Sequence, residues 1–532
     1  MKNKKVLLVI TVCLLLGCSS NSNNSNSKTS ILPSREIDYR FTVDDLGDDV
    51  DFHTELQRNY IDDEDYENLP SQANAVTENS IPNAITLSWD CDIGSDDYVV
   101  TIGEKDDFTD AKEYEVSGKK ELSLYNLKIG TRYYWTVKEK DSDIMSPTGT
   151  FSTYEKGPRN LNIPGMTNCR DIGGYETSNG GKVRQDLIFR TGNSDKITDA
   201  GKKVLNDFGM KTEIDLRDSG YKTSSPVGSH INYLVYKMAY DDYSNYLERN
   251  CESAKSTMKV FTNEDNYPIF YHCRIGTDRT GFMTYLLLGL LGVDKEDIYR
   301  DYLFSNFGVI ENARSLHGSD VNNVQLYYEA IDAFPGETLQ EHVYNFLISI
   351  GMTAEELDEI IRINVEGGKE IEVLEDQKPL VVDADHLGHS SGFSSKSYKH
   401  SYAQTTVKYF ELNKNSGSYI EASIETDADV NVAIYCYMYA ATASLDIRAR
   451  DAFELNIDGE NVVVTDKTFS ELHCRNTEGI YVAGRIAETL LYEGQHILKL
   501  TNIAGGTNSN ALGANVAAII IIPLEEAYIS LD

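Results

Sequence analysis

The hydrophobic pattern of this chain changes twice along its 532 residues, and these changes limit the folds that it can adopt. Residues 76–153 and 380–532 contain short runs in which apolar and polar residues alternate, separated by Gly, Asp and Ser. A period of two is typical of half-buried strands in antiparallel sandwiches. Between them, residues 155–367 alternate apolar strand-like runs with helical segments, which predicts a central sheet covered by helices. The sequence therefore predicts a multidomain protein with an α/β domain flanked by two β-sandwiches.

The first β-rich segment resembles a known type of sandwich module. Its predicted strands lie at residues 84–89, 98–102, 121–125 and 133–137. Trp89 lies on an early strand, and Tyr133 and Trp135 lie on a late one. These positions, together with Leu127, Gly130 and Val137, resemble the core tryptophan and the tyrosine corner of fibronectin type III modules. The resemblance implies a spacer or interaction module without a catalytic role.

The N-terminus has the composition of a secretory signal. Lysines within the first five residues precede an apolar run over residues 6–16, which is too short to span a bilayer. Leu-Leu-Gly-Cys at residues 15–18 resembles the bacterial lipoprotein box, which implies cleavage before Cys18 and a lipid on its sulfur. The alternative is an ordinary signal peptide with a chance cysteine. We expect a lipid-anchored, extracytoplasmic protein in which residues 19–75 form a polar, acidic tether.

The charge balance excludes one class of partner. The chain has 49 basic and 84 acidic residues, which gives a net charge of −35. This charge repels nucleic acids and anionic lipid surfaces. We therefore expect no nucleic-acid partner, membrane contact through the lipid anchor only, and a local basic pocket for any anionic substrate.

Residues 271–281, Tyr-His-Cys-Arg-Ile-Gly-Thr-Asp-Arg-Thr-Gly, carry the strongest chemical signal in the chain. They follow an apolar strand and lead directly into an apolar helix. A cysteine attacks only as the thiolate, and a helix N-terminus with a nearby arginine stabilises that anion. The backbone N–H groups of such a loop also bind phosphate. The sequence therefore predicts that Cys273 is a nucleophile and that Arg279 binds two oxygens of a phosphate.

The other residues of this stretch have predicted supporting roles. Gly276 lets the backbone close around the phosphate oxygens, His272 orients the loop, and Thr280 donates its hydroxyl to the sulfur when it departs. No metal or cofactor is expected. The predicted phosphate-binding residues are Arg274, Ile275, Gly276, Thr277, Asp278 and Arg279.

The Cys-x5-Arg stretch resembles the phosphate loop of cysteine-dependent tyrosine and dual-specificity phosphatases. In particular, it is similar to bacterial members with Asp immediately before the arginine. Residues 168–175 resemble their Asn-Phe-Arg-Asp-Leu-Gly-Gly opening, residues 187–192 a strand end with arginine, and residues 215–217 their Asp-Leu-Arg. Two departures are Thr277, where the family usually has Lys, and Ile275, where it has Ala. The lost lysine leaves the exact substrate open, and Arg274 is a candidate to restore the charge.

A general acid is also needed, because an unprotonated alkoxide or phenoxide is a poor leaving group. Asp278 is the first candidate, since it lies inside the loop beside the bound phosphate. Asp241 and Asp242 are the alternatives, although either residue could instead cap the helix predicted to begin there.

The C-terminal segment, residues 380–532, is predicted to be a jelly-roll-like sandwich after a polar linker at residues 368–379. Its predicted strands lie at residues 430–439, 452–457, 461–464, 496–501 and 516–522. Tyr435, Tyr437 and Tyr439 share one face of a strand. Such a ladder either stacks on a glycan, as in carbohydrate-binding modules, or is buried against another domain.

The leading functional prediction is a phosphate monoester hydrolase that acts through a phosphocysteine on phosphotyrosine or related protein phosphoesters. One alternative is an inositol phosphate or phosphoinositide phosphatase. Another is a surface glycan-binding protein whose phosphatase domain is vestigial, against which the intact set of Cys273, Asp278 and Arg279 counts. Because all predicted catalytic groups lie within residues 155–367, we expect that segment to fold and act alone.

Overall fold

The computed structural model describes residues 37–92, 95–240, 246–317, 324–332, 334, 336–368, 378–399, 406–413, 415–440, 445–472, 474, 481–504, 512–525 and 527–531. The predicted signal peptide with Cys18 and residues 369–377 of the predicted linker lie outside the described residues. The described chain forms a β-sandwich, an α/β domain and a second β-sandwich in that order. Among the described helices, none is long and apolar enough to cross a bilayer.

The N-terminal sandwich packs two sheets around Trp89 and Trp135, which are both buried. One sheet has the order β1-β3-β6 and the other β2-β8-β7-β4-β5. The Tyr133 hydroxyl accepts a hydrogen bond of 2.9 Å from the backbone N–H of Lys128. The strands are β1 (Phe41–Val43), β2 (Gly47–Val50), β3 (Ile85–Cys91), β4 (Asp97–Gly103), β5 (Lys112–Ser117), β6 (Glu121–Leu124), β7 (Arg132–Glu139) and β8 (Gly149–Thr153).

The predicted tether over residues 19–75 is wrong for residues 37–75, which are folded. β1 pairs with β3, and β2 pairs with β8, so this segment completes both sheets of the sandwich. Helix α1 (Glu55–Asp62) then packs on the α/β domain, where the Tyr60 hydroxyl donates to the Arg300 carbonyl at 3.0 Å. The acidic residues that suggested a tether are mostly exposed, while Phe41, Phe52 and Tyr60 between them are buried.

The α/β domain contains a six-stranded sheet in the order β14-β13-β15-β12-β10-β9. Its strands, with the short β11, are β9 (Arg159–Asn160), β10 (Arg170–Asp171), β11 (Gly181–Val183), β12 (Ile188–Thr191), β13 (Thr212–Asp215), β14 (Asn232–Val235) and β15 (Ile269–His272); β16 (Val365–Gly367) pairs with β11. Its helices are α2 (Asp199–Asp207), α3 (Tyr246–Val260), α4 (Asp278–Leu290), α5 (Lys295–Phe304), α6 (Gln325–Asp332), α7 (Leu339–Ser349) and α8 (Ala354–Asn364).

The sheet brings three strand ends together. β12, β13 and β15 are parallel neighbours, with Thr191 and Asp215 both in register with His272. The residues that follow these strands therefore lie at one edge, where parallel α/β sheets usually bind ligands. Every residue of α4 after Asp278 is buried, so the helix that follows β15 is the central helix of the domain.

The C-terminal domain is an antiparallel sandwich of two six-stranded sheets. One sheet contains β17 (Leu380–Asp383), β19 (Lys396–Lys399), β20 (Thr406–Leu412), β22 (Val430–Ala440), β25 (Val482–Leu491) and β27 (Ala514–Pro523). The other contains β18 (Gly388–His389), β21 (Tyr419–Thr426), β23 (Phe453–Ile457), β24 (Glu460–Val462), β26 (Gly494–Asn502) and β28 (Ile529–Leu531); helix α9 (Ala449–Ala452) precedes β23.

Tyr435 and Tyr437 of the β22 tyrosine ladder are not available to a glycan. Tyr435 is 6% exposed and stacks on Phe334 of the α/β domain, with ring centroids 6.3 Å apart. Tyr437 is 2% exposed, and its hydroxyl donates to Glu252 of α3. The alternating residues of β22 instead fill the sandwich interior. Burial against a neighbouring domain is therefore the correct interpretation for Tyr435 and Tyr437, and the glycan-stacking interpretation is wrong for these two residues.

Candidate active site

Cys273 lies between the last residue of β15 and the loop that enters α4, as the sequence predicts. The loop turns sharply at Gly276, whose φ of +75° lies in the left-handed region. A Cβ at this position would lie 2.4 Å from the Thr191 carbonyl oxygen at the end of β12. Only glycine therefore fits, because any side chain would collide with the neighbouring strand.

Buried polar residues hold this loop from below. The Asn168 amide donates to the carbonyls of Ile275 and Gly276 at 3.2 and 3.0 Å, and Arg190 donates to the Gly276 carbonyl at 3.0 Å. Asp301 of α5 binds both Arg190 and Arg170, and all three side chains are fully buried. Asn168 and Arg190, one from each of the motifs at residues 168–175 and 187–192, thus fix the loop carbonyls and leave the interior of the loop for an anion.

The electrostatic environment of Cys273 favours the thiolate. Burial alone would raise the pKa of Cys273, but the charge of Arg279 and a hydrogen bond from Thr280 overcome this effect and lower the pKa to about 7. The Thr280 hydroxyl has no other hydrogen-bond partner among the described residues, so it is available to the sulfur. The thiolate is therefore more accessible near neutral pH than in an ordinary cysteine.

Arg279 lies in the first turn of α4 and is 6% exposed. One guanidinium nitrogen donates to the Asp218 carboxylate at 2.9 Å and lies 3.4 Å from the Met238 carbonyl. The guanidinium also lies over the ring of Tyr240, 5.1 Å from its centroid. Its Nε has no hydrogen-bond partner among the described residues, so the fork keeps donors for an incoming phosphate.

The carboxylates near the loop differ in their partners. Both oxygens of Asp278 accept hydrogen bonds from Arg314, at 2.9 and 3.0 Å. Asp218 contacts Arg279 and is about 41% exposed. Asp241 and Asp242 lie outside the described residues. The candidates for the acid that protonates the leaving group are thus Asp278, Asp218 and the two aspartates that the structure does not describe. Of these, Asp278 must first release Arg314.

Thr277 and Ile275, the two predicted departures from the usual loop pattern, and the neighbouring Arg274 lie at different depths. Thr277 is fully buried and its hydroxyl lies 3.4 Å from the Asn168 amide nitrogen, while Ile275 is partly exposed. The Arg274 side chain is 64% exposed and forms an ion pair with Glu311. Its charge therefore lies at the rim of the loop and is partly neutralised.

His272 is fully buried beside the nucleophile. Its Nδ1 donates to the Cys273 carbonyl at 2.9 Å, and its Nε2 lies 2.9 Å from Glu213. Burial by itself lowers the pKa of His272, but Glu213 and Asp215 together raise it above the ordinary value. The predicted orienting role of His272 thus has a specific contact, which is the hydrogen bond to the nucleophile's own carbonyl.

Three residues of this site were missed by the sequence reasoning. They are Asp218, Arg314 and Glu213. Asp218 directly follows the Asp-Leu-Arg motif at residues 215–217, so its proximity could have been inferred from that motif. Arg314 and Glu213 gave no signal, because their contacts depend on how α5, β13 and the loop after α5 fold together.

The fold and the site define a domain of the cysteine-dependent phosphatase class, with a thiolate at a strand end and an arginine in the next helical turn. Residues 161–364 match the family model described as the tyrosine phosphatase family. This part of the chain is accordingly a tyrosine phosphatase family domain.

Three curated relatives carry phosphatase names. A protein of Cupriavidus necator named as a tyrosine-protein phosphatase is 28% identical over 178 residues, which cover 28% of this chain and 64% of that protein. A tyrosine-protein phosphatase of Nostoc commune is 28% identical over 145 residues, covering 23% of this chain and 49% of the relative. The triple specificity protein phosphatase PtpB of Mycobacterium tuberculosis is 25% identical, covering 28% and 69%.

Two solved structures illustrate the similarity of parts of the chain to known proteins. A family 35 carbohydrate binding module from Clostridium thermocellum has a TM-score of 0.21 with 16% identity, over 27% of this chain and 97% of the module. The core catalytic domain of the PP-IP phosphatase SIW14 from S. cerevisiae has a TM-score of 0.20 with 16% identity, over 26% and 82%. These scores are too low to support an argument.

Proposed function

We propose that the protein hydrolyses phosphate monoesters through a phosphocysteine on Cys273, with phosphotyrosine or related protein phosphoesters as substrates. The observation that carries this proposal is the thiol of Cys273, whose pKa is lowered to about 7 beside the partly unsatisfied guanidinium of Arg279. Such a pair has both a nucleophile and a binding group for the same phosphate.

In the first step, the Cys273 thiolate attacks phosphorus and the bond from phosphorus to the ester oxygen breaks. Arg279 and the loop N–H groups stabilise the charge on the equatorial oxygens. The leaving oxygen takes a proton from a carboxylic acid, for which Asp278, Asp218, Asp241 and Asp242 are the candidates.

In the second step, water attacks the phosphocysteine and the bond from sulfur to phosphorus breaks, which releases phosphate. The same carboxylate accepts a proton from the water, as microscopic reversibility requires. Thr280 donates its hydroxyl to the departing sulfur, because this buried hydroxyl lies beside Cys273 and has no hydrogen-bond partner elsewhere among the described residues. The nucleophiles, proton donors and proton acceptors of both steps are thus groups of this chain, the substrate or water.

A direct test replaces Cys273 with serine and measures turnover on a panel of phosphotyrosine, phosphoserine and inositol phosphate substrates. We expect Cys273→Ser to lose turnover on every substrate and to keep phosphate or vanadate binding, since Arg279 and the loop backbone remain. The panel also separates the proposal from the inositol phosphate alternative, which predicts highest kcat/KM on inositol phosphates. Retained turnover in the serine variant, or loss of wild-type turnover with a chelator, would contradict the mechanism.

The vestigial-enzyme alternative is disfavoured by the same site, because the Gly276 carbonyl is held by buried Asn168 and Arg190, and the thiol of Cys273 lies beside buried Arg279 and Thr280. Two further assignments are proposals from the sequence. The N-terminal sandwich is a fibronectin type III-like module, supported by the tyrosine corner of Tyr133. Cys18 carries a lipid that anchors the protein on the extracytoplasmic side, supported by the sequence before it.

A further inference from the structure

Glu213 is a buried carboxylate that the mechanism above does not use. It lies on β13, an interior strand of the α/β sheet next to β15, and its side chain is fully buried. A carboxylate at such a position is costly unless it is paired or hydrogen-bonded. Its retention at the centre of the domain therefore calls for a specific partner.

That partner is His272, the residue before the nucleophile. One oxygen of Glu213, Oε1, lies 2.9 Å from His272 Nε2 and also accepts a hydrogen bond of 2.6 Å from the Ser194 hydroxyl. The other oxygen, Oε2, has no hydrogen-bond partner among the described residues. Glu213 is thus anchored by Ser194 and directed at the imidazole ring.

The protons on His272 follow from its partners. The Cys273 carbonyl can only accept a hydrogen bond, so Nδ1 of His272 must carry a proton. The contact between Nε2 and Glu213 requires a proton between the two atoms, because an unprotonated ring nitrogen would repel a carboxylate oxygen. Glu213 Oε1 already accepts a hydrogen bond from Ser194 and is therefore best placed to accept a second one. We therefore place this proton on Nε2, so that the pair consists of an imidazolium and a carboxylate.

We propose that Glu213 is a positioning residue for the nucleophile, because it holds His272 doubly protonated and turned so that Nδ1 donates to the Cys273 carbonyl. The inference rests on the proposed function only in naming Cys273 as the nucleophile. Glu213 itself does not touch the substrate.

This contact reaches the reaction through one peptide unit. The Cys273 carbonyl and the Arg274 N–H belong to the same peptide. A hydrogen bond accepted by this carbonyl polarises the Arg274 N–H, which is the first N–H group of the phosphate loop. The imidazolium also places a positive charge one residue from the sulfur. Both effects stabilise the thiolate, and both require the proton that Glu213 keeps on the ring.

Other charged groups around His272 are themselves paired. Asp215 lies 3.9 Å from Nδ1, but it is bound by Arg217 and by the Tyr233 hydroxyl. On the neighbouring strand β12, Thr191 is in register with His272 and carries no charge. Phe270, on the same strand as His272, stacks beside the imidazole ring. Glu213 is therefore the carboxylate whose direct hydrogen bond distinguishes protonated from neutral His272.

The test uses the full chain and the rate at which iodoacetamide alkylates Cys273 across pH, followed on the peptide that contains this residue. Glu213→Gln keeps the size of the side chain and removes its charge. We expect its alkylation at about pH 6 to be on the order of threefold to tenfold slower than in the wild type and to recover above about pH 8, as for a thiolate that forms at higher pH. Glu213→Leu also removes the orienting contact and should lose kcat at high pH as well.

The control is Asp171→Asn, another buried carboxylate on the same sheet, which pairs with Arg159. It is expected to lower thermal stability without shifting the alkylation profile. A folded Glu213→Gln protein with the wild-type profile would overturn the proposal. If the variants do not fold, NMR of isotopically labelled histidine in the wild type decides, since a neutral His272 ring at neutral pH would equally overturn it. Because alkylation needs no turnover, these results are independent of whether the substrate proposal is correct.

Discussion

At the scale of single residues, the site contains one nucleophile and several carboxylates with different constraints. Cys273 is held as a partial thiolate by Arg279 and Thr280. Asp278 shares both oxygens with Arg314, whereas Asp218 shares one oxygen with Arg279 itself. A phosphate dianion bound by Arg279 would lie close to Asp218. Asp278 must therefore release Arg314 before it can donate a proton, whereas Asp218 already lies beside the arginine that binds phosphate.

The leaving group can identify the acid. A phenol has a pKa near 10 and leaves poorly as an anion, whereas a nitrophenol leaves without much assistance. If Asp278 is the donor, Asp278→Asn should lose on the order of 10²–10⁴-fold in kcat on phosphotyrosine and much less on the nitrophenyl ester. Asp218→Asn is the matched comparison, because it removes a carboxylate from the same site.

Three outcomes of this comparison are distinct. A leaving-group-dependent loss in Asp218→Asn alone would assign the acid to Asp218 and leave Asp278 as a residue that shapes the loop through Arg314. The same loss in Asp241→Asn or Asp242→Asn would place it after β14. A uniform loss on both substrates in Asp278→Asn would contradict its role as the proton donor.

At the scale of elements, the strands and helices around the site were largely predictable. The strand before Cys273 and the helix after it were expected from one apolar run on each side of the loop, and both are present as β15 and α4. The order of strands was not predictable, because short buried runs carry no information about their neighbours. Contacts such as that of Glu213 with His272 depend on that order.

Residues 37–75, which were predicted to be a tether, show where a prediction from composition fails. Residues 37–75 were interpreted by their charge, but the two short strands and α1 are held by scattered apolar residues such as Phe41 and Tyr60. Exposed acids on one side of a strand or helix do not prevent burial on the other. The acidic composition of residues 37–75 therefore concealed the few apolar residues that become buried only through tertiary contacts.

At the scale of the whole molecule, the α/β domain is not independent of its neighbours. α1 packs on it from the N-terminal side, and β22 and β27 of the C-terminal sandwich cover the region of α3 and α7. Apolar residues of β27, including Ile520 and Ile522, belong to the same core cluster as the α/β domain. The expectation that residues 155–367 act alone is therefore not supported by the structure.

Truncation tests this dependence. Removal of residues 380–532 would expose Phe334 and the neighbouring apolar surface to water, so we expect the shortened chain to aggregate or to unfold at lower temperature. The substitution Tyr437→Phe, which removes only the hydrogen bond to Glu252, is a milder control and should lower the melting temperature slightly. Thermal melting and gel filtration are the measurements. A soluble fragment of residues 155–367 with wild-type kcat would show that the neighbouring domains only cover the surface.

The central claim is that phosphate is transferred to the sulfur of Cys273, and the most direct measurement is to trap that intermediate. Rapid acid-free quenching during turnover of an aryl phosphate, followed by mass spectrometry of the peptide containing residues 271–281, should show a phosphoryl group on Cys273. Thr280→Ala should increase the trapped fraction, because it removes the hydroxyl that assists departure of the sulfur in the second step. The account predicts this adduct in the wild type and its absence in Cys273→Ser. Turnover without any adduct on Cys273, or with an adduct on another residue, would contradict it.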